Sequence, residues 1–439
     1  MRIIEYDSDV SWYISQRDTN DAIVIPILCD TKLHYSVNAL SFIYLYFIQS
    51  GEECVISITH NDCISTPMNP DMYFSSKRKY FIINSRLSAY IKGNTFYDIE
   101  LIYWLATGKV IPYDTINSYK NVYTLWYDKL KSLNTIIPIM KHVEYCFSIV
   151  SIVLDTINTF VEDDTYKIYA ELIIPNLALV ECNGLHVRGH NKFINDRNIH
   201  DSLAHSYYNI YTQTGRPSNT FANTNYAALD KASGIRDIFT SRFTPGKLIE
   251  FDYDAFHLRL IATCINYTFD DTSIHTHLAR EYFQKEDITE EEYDLSKQIT
   301  FKQVYGGIDA QYAHIKFFSD VKDFMHSLWD TYIRDGFIRT PITNRKLIVS
   351  DIAIHKLFNY YLQAIEFETG ILVMDELNTY LRDKKSKLVL YTYDSFLFDI
   401  HKDDGKEVIL GLRTILTNQY PVKCKAGDSY QNMNNLVLN

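Results

Sequence analysis

Residues 247–265 are KLIEFDYDAFHLRLIATCI, and the hydrophobic period changes within this stretch. Up to Tyr253 the alternating pattern predicts a β-strand that carries Glu250 and Asp252 on one face. From Phe256 onward the apolar residues recur at helical spacing. A carboxylate therefore lies where a strand runs into a helix. Taken alone, Asp252 is explained better as a helix cap than as a catalytic group.

A second aspartate lies in residues 388–400, LVLYTYDSFLFDI. Two β-rich runs, 388–393 and 396–400, are separated by Asp394 and Ser395, which predicts a hairpin with the carboxylate at its tip. Asp-Ser is also ordinary turn chemistry. As a pair, however, two aspartates at strand ends supply the hard oxygen ligands that a shared magnesium site needs, with positions open to phosphate oxygens.

A third motif lies between the aspartates, in residues 288–307, ITEEEYDLSKQITFKQVYGG. Thr289 and Glu292 predict a capping box at the start of a helix, and the two glycines predict its end. One face of this helix carries a residue every fourth position: Tyr293, Lys297, Phe301 and Tyr305. An aromatic stripe is usually core, but a face that also carries a lysine suits a triphosphate below a stacked base.

Composition sets the class of protein. The chain has 439 residues and a net charge of −11, and its length predicts roughly two to four domains. Because it is 46% hydrophobic and 14% aromatic, it can bury a large core. Seven scattered cysteines without a C-x-x-C pair argue against a disulfide framework or a cysteine-rich zinc site. The chain shows neither a secretory signal nor an uninterrupted apolar run of about 20 residues. We therefore expect a soluble, cytoplasmic protein without membrane contact.

The pattern along the chain predicts an α/β multidomain protein. Strand-length apolar runs followed by a helical pattern at 97–107 predict an α/β layer domain up to about residue 115. Residues 117–169 have helical spacing, first from Val122 to Leu130 and then from Val143 to Phe160. From residue 172 short strands alternate with helices, and no repeat or linker marks a boundary.

Taken together, the motifs from about residue 177 to 436 resemble those of family A (polymerase I-like) DNA polymerases. Asp252-Tyr253 with Leu258-Arg259 is similar to the first palm motif, Lys297, Phe301 and Tyr305-Gly306 to the finger helix, and Tyr393-Asp394-Ser395 to a His-Asp-Glu motif. Weaker similarities follow the family's order: Thr214-Gly215-Arg216 with Ser218 and Asn223, Ile274-His275 with Ala279 and Phe283, Gly336 to Arg345, and Asn359 with Gln363. Single motifs arise by chance, but seven in collinear order do not.

The resemblance implies a right-hand polymerase with palm and fingers, a reduced thumb, and a degenerate ribonuclease-H-like exonuclease domain in front. It implies these segments: 1–115 exonuclease-like, 116–175 a helical connector or thumb-like segment, 176–262 first part of the palm, 263–345 fingers, and 346–439 second part of the palm. The thumb is expected to be reduced because Gly184 and Gly215, which flank it in the family, are close in sequence. Exonuclease activity is expected to be absent because Asp30-Thr31-Lys32 has a lysine where the nuclease needs a glutamate.

The same resemblance implies roles for individual residues. Two Mg²⁺ ions would be held by Asp252, Asp394 and the backbone carbonyl of Tyr253. Lys297 would be catalytic together with the two aspartates. The nucleotide would be bound by His257, His275, Tyr293, Lys297, Phe301 and Tyr305, and the DNA by Arg216, Asn223, Gln363 and Tyr305.

Departures from the family pattern leave alternatives open. Tyr293 replaces a phosphate-binding arginine, His257 replaces the glutamate that blocks a ribose 2′-hydroxyl, and Ser395 replaces the glutamate after the hairpin aspartate. The alternatives are a single-subunit RNA polymerase, a sugar-tolerant polymerase, or a catalytically weak replisome accessory protein with a polymerase fold.

The remaining expectations concern partners and origin. The expected partners of a monomeric enzyme are primer-template DNA, dNTPs and replication accessory proteins. Low glycine content with abundant Tyr, Ile, Asn and Lys indicates an AT-rich genome, and the compact build indicates a bacteriophage, which would place the protein in the host cytoplasm.

Overall fold

The computed structural model describes residues 1–91, 96–113, 134–189, 192–195, 198–270 and 273–438. The chain divides into two compact units: one comprises Met1–Tyr211 and Ser218–Thr240, and the other comprises Thr212–Pro217 and Ser241–Asn439. The five segments expected from the sequence do not coincide with these units, since residues 176–262 are divided between them, and they stay a prediction. The helical pattern from Val122 to Leu130 lies outside the described residues.

The first unit is built on a six-stranded mixed sheet with the order β1-β4-β3-β2-β5-β6. Its strands are β1 (Arg2–Ile3), β2 (Ala22–Leu28), β3 (Leu40–Phe47), β4 (Glu53–Ser57), β5 (Tyr80–Ile82) and β6 (Phe96–Asp98). Strand β3 is antiparallel to both β2 and β4, whereas β4 is parallel to β1, β5 is parallel to β2 and β6 is parallel to β5. Strand β2, AIVIPIL, is buried along nearly its whole length because the sheet is covered on both faces.

Helices and short strands complete the first unit. The helices are α1 (Asp7–Thr19), α2 (Ile99–Thr107), α3 (Ile139–Asn158), α4 (Asp164–Lys167), a π-helical turn (Ile168–Ile173) and α5 (Ile174–Asn183). The short strands are β7 (Leu185–His186), β8 (Ile199–His200), β9 (Leu203–Ala204), β10 (Tyr208–Asn209), β11 (Ser218–Phe221) and β12 (Thr224–Asn225). The strands and helix predicted up to residue 107, and the helix predicted from Val143, are confirmed.

The second unit is built on a five-stranded antiparallel sheet with the order β16-β17-β13-β18-β19. Its strands are β13 (Gly246–Tyr253), β16 (Lys387–Tyr391), β17 (Ser395–His401), β18 (Val422–Gly427) and β19 (Met433–Asn435). A separate hairpin pairs β14 (Ile338–Arg339) with β15 (Lys346–Leu347). The central strand is β13, the one predicted from the alternating stretch.

The described part of the second unit contains six α-helices. They are α6 (Phe256–Cys264), α7 (Ile274–Phe283), α8 (Glu290–Gly306), α9 (Lys316–Asp335), α10 (Ile354–Leu381) and α11 (Gly405–Thr417). Helix α10 packs against four of the other helices and against β16. Its Gly370 permits the close approach to β16, because a Cβ at this position would collide with the Tyr391 hydroxyl.

Short 3₁₀ helices connect these elements in both units. They span Tyr35–Val37, Pro70–Met72, Ser85–Tyr90, Asn134–Ile136, Tyr226–Ala228, Ile235–Ile238 and Ala310–Tyr312. None of the helices in the described ranges combines the length and the apolar character that a membrane crossing demands.

Candidate active site

The two aspartates predicted from separate motifs lie on neighbouring strands of the second unit. Asp252 is the penultimate residue of β13 and pairs with Ser395, the first residue of β17. Asp394 immediately precedes that strand, and its carbonyl accepts a 2.8 Å hydrogen bond from the Tyr253 amide. The helix-cap explanation for Asp252 is wrong, because the residue before α6 is Ala255 and no side chain caps that helix.

The hairpin that carries Asp394 is tighter than the sequence predicts. The Asp394 amide donates to the Thr392 carbonyl at 2.9 Å, which closes a turn centred on Tyr393 at φ 71°. The prediction that the Asp394 carboxylate lies at a hairpin tip is therefore confirmed, but its partner in the tip is Tyr393, because Ser395 is already buried in β17. A non-glycine residue at such a φ is strained, and strain of this kind persists where surrounding contacts enforce it.

The aspartates form an acidic pair. Burial, together with the charges of Asp252 and Glu366, raises the pKa of Asp394 to about 6. Burial also raises the pKa of Asp252, although Lys425 opposes the shift. No cluster of three or more potential metal ligands occurs among the described residues. The donor set is nevertheless one that fits a hard divalent cation, because a cation would relieve the repulsion between two carboxylates.

A cavity of about 500 Å³ opens beside this pair. It is lined by Arg216, Asp252, Tyr253, Asp254, Ala255, Phe256, His257, Leu258, His275, Tyr293, Lys297, Phe301, Tyr305, Glu366, Asp394 and Lys423. All four residues of the predicted α8 face therefore line the same cavity as the aspartates. Helix α8 begins with the predicted Thr289–Glu292 capping box and ends at Gly306.

On the α8 side of the cavity, one lysine lies among aromatic side chains. The Lys297 Nζ lies 4.2 Å from the centre of the Tyr293 ring and 3.2 Å from a carboxylate oxygen of Asp294. The His275 ring contacts Tyr293 and Phe301 edge to face. Burial, with Lys297 nearby, lowers the pKa of His275 to about 4, so this imidazole is neutral at physiological pH.

Glu366 is a cavity residue that the sequence motifs do not include. It is 4% exposed on α10, and its Oε1 lies 2.9 Å from the His257 Nε2. Its Oε2 lies 3.2 Å from the Arg216 guanidinium, which also stacks 3.5 Å above the Tyr393 ring. In the sequence, the one indication of its role is a glutamate within an apolar helical run, because glutamates are almost never buried unless they are paired.

Asp254 and Lys423 also line the cavity without having been predicted. Although burial alone would raise it, the pKa of Asp254 is lowered, because Lys423 lies 2.6 Å away and Arg259 lies 3.1 Å away. Ser395 replaces a glutamate of the family pattern, and its hydroxyl donates to Glu250 at 3.3 Å. Two further carboxylates therefore flank Asp252 along the chain: Glu250 within β13 and Asp254 just after it.

Other predicted residues support the cavity or lie apart from it. Arg345 donates to the Thr214 carbonyl at 2.5 Å, which anchors the turn that carries Arg216. Asn359 donates to the Tyr305 carbonyl at 3.0 Å, whereas Gln363 on the same helix is not among the lining residues. Asn223 belongs to the first unit, where it lies at φ 69° in the turn between β11 and β12.

Comparison with known proteins identifies the class. The family model of DNA polymerase family A matches residues 109–431, and the chain therefore belongs to this family. The matched region begins well before residue 177, where the sequence motifs begin. The resemblance drawn from the motifs is thus confirmed, and the protein is classed as a DNA polymerase.

A solved structure has the same fold. The chain is similar to the POL domain of Pol1 from M. smegmatis, solved in complex with DNA primer-template and dNTP. The TM-score is 0.70 over 98% of this chain and 99% of that chain, at 14% sequence identity. Curated protein sequences gave no significant match.

Proposed function

We propose that this protein is a template-dependent DNA-directed DNA polymerase that adds deoxynucleotides to a primer 3′-hydroxyl by two-metal-ion phosphoryl transfer. The observation that carries this proposal is the single cavity that joins Asp252 and Asp394 to the basic and aromatic face of α8. Primer-template DNA and dNTPs are the proposed substrates of a monomeric enzyme. Replication accessory proteins are proposed as further partners.

Asp252, Asp394 and the Tyr253 carbonyl would hold two Mg²⁺ ions, whose chemistry is to lower the pKa of the primer hydroxyl and to neutralise the triphosphate and the leaving pyrophosphate. Lys297 would donate hydrogen bonds to triphosphate oxygens, since its ammonium points from α8 into the same cavity. His275, neutral and adjacent to Lys297, would offer one N–H to a phosphate oxygen. Tyr293 offers no charge there, so Lys297 and Lys423 would supply the positive potential.

A second group of lining residues would recognise the sugar and the base pair. His257, Phe301 and Tyr305 would lie beside the incoming sugar and the templating base. Arg216 would reach minor-groove acceptors, which every correct pair presents in similar positions. In this proposal residues 176–262 and 346–439 form the palm, and residues 263–345, with α7, α8 and α9, form the fingers.

Residues 1–115, which lie in the first unit, are proposed to form a degenerate ribonuclease-H-like exonuclease domain. Its antiparallel strands β2–β4, extended by parallel strands β5 and β6, support this fold. Its carboxylates are used structurally: Asp98 caps α2 by accepting from the Leu101 amide, and Asp30 accepts from the Lys32 amide. We therefore propose a scaffold without proofreading.

The thumb is proposed to be reduced. Between Gly184 and Gly215 the described residues form the short strands β7–β10 and no α-helix. Segment 116–175, which includes α3, is the proposed replacement.

Primer extension with Mg²⁺ tests the polymerase proposal. Wild type should extend a primed template with dNTPs, and Asp252→Ala and Asp394→Ala should each abolish extension. Asp330→Ala, which removes an exposed carboxylate on α9, is the matched control and should extend normally. Equal extension by wild type and both active-site variants would show that the site is misassigned.

The same assay separates the other candidates. Comparable kcat/KM for rNTPs and dNTPs would favour an RNA polymerase or a sugar-tolerant enzyme. DNA binding without extension would favour an accessory protein. Loss of a labelled 3′-end in the absence of nucleotides, abolished by Asp30→Ala, would overturn the proposed absence of nuclease activity.

A further inference from the structure

Glu366 is a buried charge in the wall of the active-site cavity. It lies on α10 between Ile365 and Phe367, and only 4% of it is exposed. Burying a carboxylate is costly unless partners compensate for the lost water. Its buried position is therefore explained by the side chains that it contacts, His257 and Arg216, which both line the cavity.

The first of these groups is His257. Glu366 Oε1 lies 2.9 Å from Nε2 of this imidazole, while Nδ1 lies 2.5 Å from the Tyr305 hydroxyl. The ring is thus held at both nitrogens, by α10 on one side and by α8 on the other. Contacts at both nitrogens fix the orientation and the tautomer of an imidazole, as they do for metal-binding histidines.

The second group is Arg216, which has independent support. Its guanidinium stacks on Tyr393 at 3.5 Å in addition to its 3.2 Å contact with Glu366. At its Nε2 end, His257 has only Glu366 as a partner among its described contacts, and its other contact, with Tyr305, is at Nδ1. Loss of the glutamate should therefore loosen the imidazole more than the guanidinium.

We propose that Glu366 is a positioning residue for sugar selection: it fixes the His257 ring against Tyr305, and this rigid three-residue wall excludes a ribose 2′-hydroxyl. The inference rests on the proposed function, in which His257 lies beside the incoming sugar. A ring held at both ends blocks the hydroxyl by its volume, whereas a ring released from Glu366 can swing aside. Selectivity then depends on a carboxylate 109 positions away from the histidine it orients.

Kinetics of single-nucleotide addition test this role. kcat and KM are measured for a dNTP and its matching rNTP with wild type, Glu366→Ala, Glu366→Gln, His257→Ala and the double variant His257→Ala/Glu366→Ala. Glu366→Ala should lower the dNTP preference about tenfold, the order of magnitude for losing one short contact to a charged group, mainly through a lower KM for the rNTP. Glu366→Gln should retain most of the preference, because the amide keeps the size of the carboxylate and an oxygen beside the imidazole.

The double variant isolates the pathway. If Glu366 acts through His257, its removal should cause no further loss of sugar preference in the His257→Ala background. Glu376→Gln, an exposed position on the same helix, is the matched control and should behave as wild type. Circular dichroism checks folding, and Glu366→Met, which keeps the volume without an acceptor, replaces Glu366→Ala if that variant is unfolded.

Three results would overturn the inference. They are an unchanged dNTP preference in Glu366→Ala or Glu366→Met, an equal loss of activity toward both sugars, and additive losses in the double variant. Wild type that extends primers without any sugar preference also refutes it, while leaving the polymerase proposal standing. Wild type that extends no primer refutes the proposed function itself.

Discussion

The Tyr253 amide donates a 2.8 Å hydrogen bond to the Asp394 carbonyl, and this bond ties the end of β13 to the turn before β17. It places two aspartates, distant in sequence, at the same end of one sheet. The turn is held in a strained conformation at Tyr393, whose ring is covered by Arg216. Backbone geometry therefore holds two mutually repelling carboxylates close together.

Mg²⁺ alone should stabilise the folded protein. A cation that binds the acidic pair in the native state adds about 1.4 kcal/mol to the free energy of unfolding at ten times its Kd, which corresponds to a rise in Tm of about 1 to 3 °C. Differential scanning fluorimetry without DNA or nucleotide measures this shift. Asp394→Asn should remove it, whereas Asp330→Asn should keep it. A shift of the same size with KCl at matched ionic strength would mean that screening, not binding, is responsible.

Local patterns predicted the parts of the site that depend on neighbouring residues. The alternation before Asp252 gave the strand, and the Thr289–Glu292 box with the terminal glycines gave α8 and its cavity face. These features are short-range, so periodicity and capping chemistry specify them. The turn at Tyr393 was missed in detail because its φ is imposed by contacts with Arg216 and β13, not by a glycine.

Long-range partners could not be predicted in the same way. Glu366 lies in an apolar helical run, and nothing near it in sequence indicates that it meets His257 and Arg216. The recognisable motifs place residues along the chain relative to a known family. The motifs do not show which side chains outside them contact the residues that differ from the family pattern.

Lys297→Ala should reduce kcat for dNTP addition by about 100-fold, because a positioned donor to the developing charge is lost. Lys297 lines the cavity beside Tyr293, and the uncharged Tyr293 ring cannot replace its positive charge. Lys302→Ala is the matched control on α8, since that ammonium is exposed and pairs with Asp309. Rapid-quench measurement of one nucleotide addition gives both values. A similar fall in both variants would point to general loss of DNA affinity.

The buried Arg86–Glu181 pair should be essential for stability of the first unit. Two contacts of 2.7 and 3.0 Å join the side chains, and Glu181 also accepts from the Tyr35 hydroxyl and the Tyr208 amide. Arg86→Met leaves this carboxylate uncompensated and should lower the free energy of unfolding by about 3–5 kcal/mol. Urea unfolding measures the loss, and Arg86→Met/Glu181→Leu should recover part of it. A double variant weaker than the single one would show that the glutamate is stabilising by itself.

His142 should make the first unit sensitive to acid. Burial, assisted by the nearby His60 and opposed by the Asn134 carbonyl and Asp62, lowers its pKa from 6.5 to about 4. As the pH falls below 6.5 the unfolded chain therefore takes up a proton before the folded chain does, and stability is lost down to about pH 4. His142→Gln removes this titration and can still donate to the Asn134 carbonyl. Between pH 7 and 4.5 its loss of unfolding free energy should be smaller by on the order of 1–2 kcal/mol. His326→Gln, at an exposed position, should leave the pH profile unchanged.

Phe301→Tyr should increase the use of dideoxynucleotides. Phe301 is 43% exposed toward the cavity and stacks on Tyr305 at 5.9 Å and 12°. The family resemblance places it beside the incoming sugar, where a tyrosine hydroxyl can replace the hydrogen bond that a missing 3′-hydroxyl leaves unmade, a gain of about tenfold for one bond. Competition between a ddNTP and its dNTP on one template measures the ratio of incorporation. Tyr305→Phe is the contrasting variant: it removes a hydroxyl that faces His257, so it should not raise the ratio. An unchanged ratio in Phe301→Tyr would mean that α8 presents a different residue to the sugar.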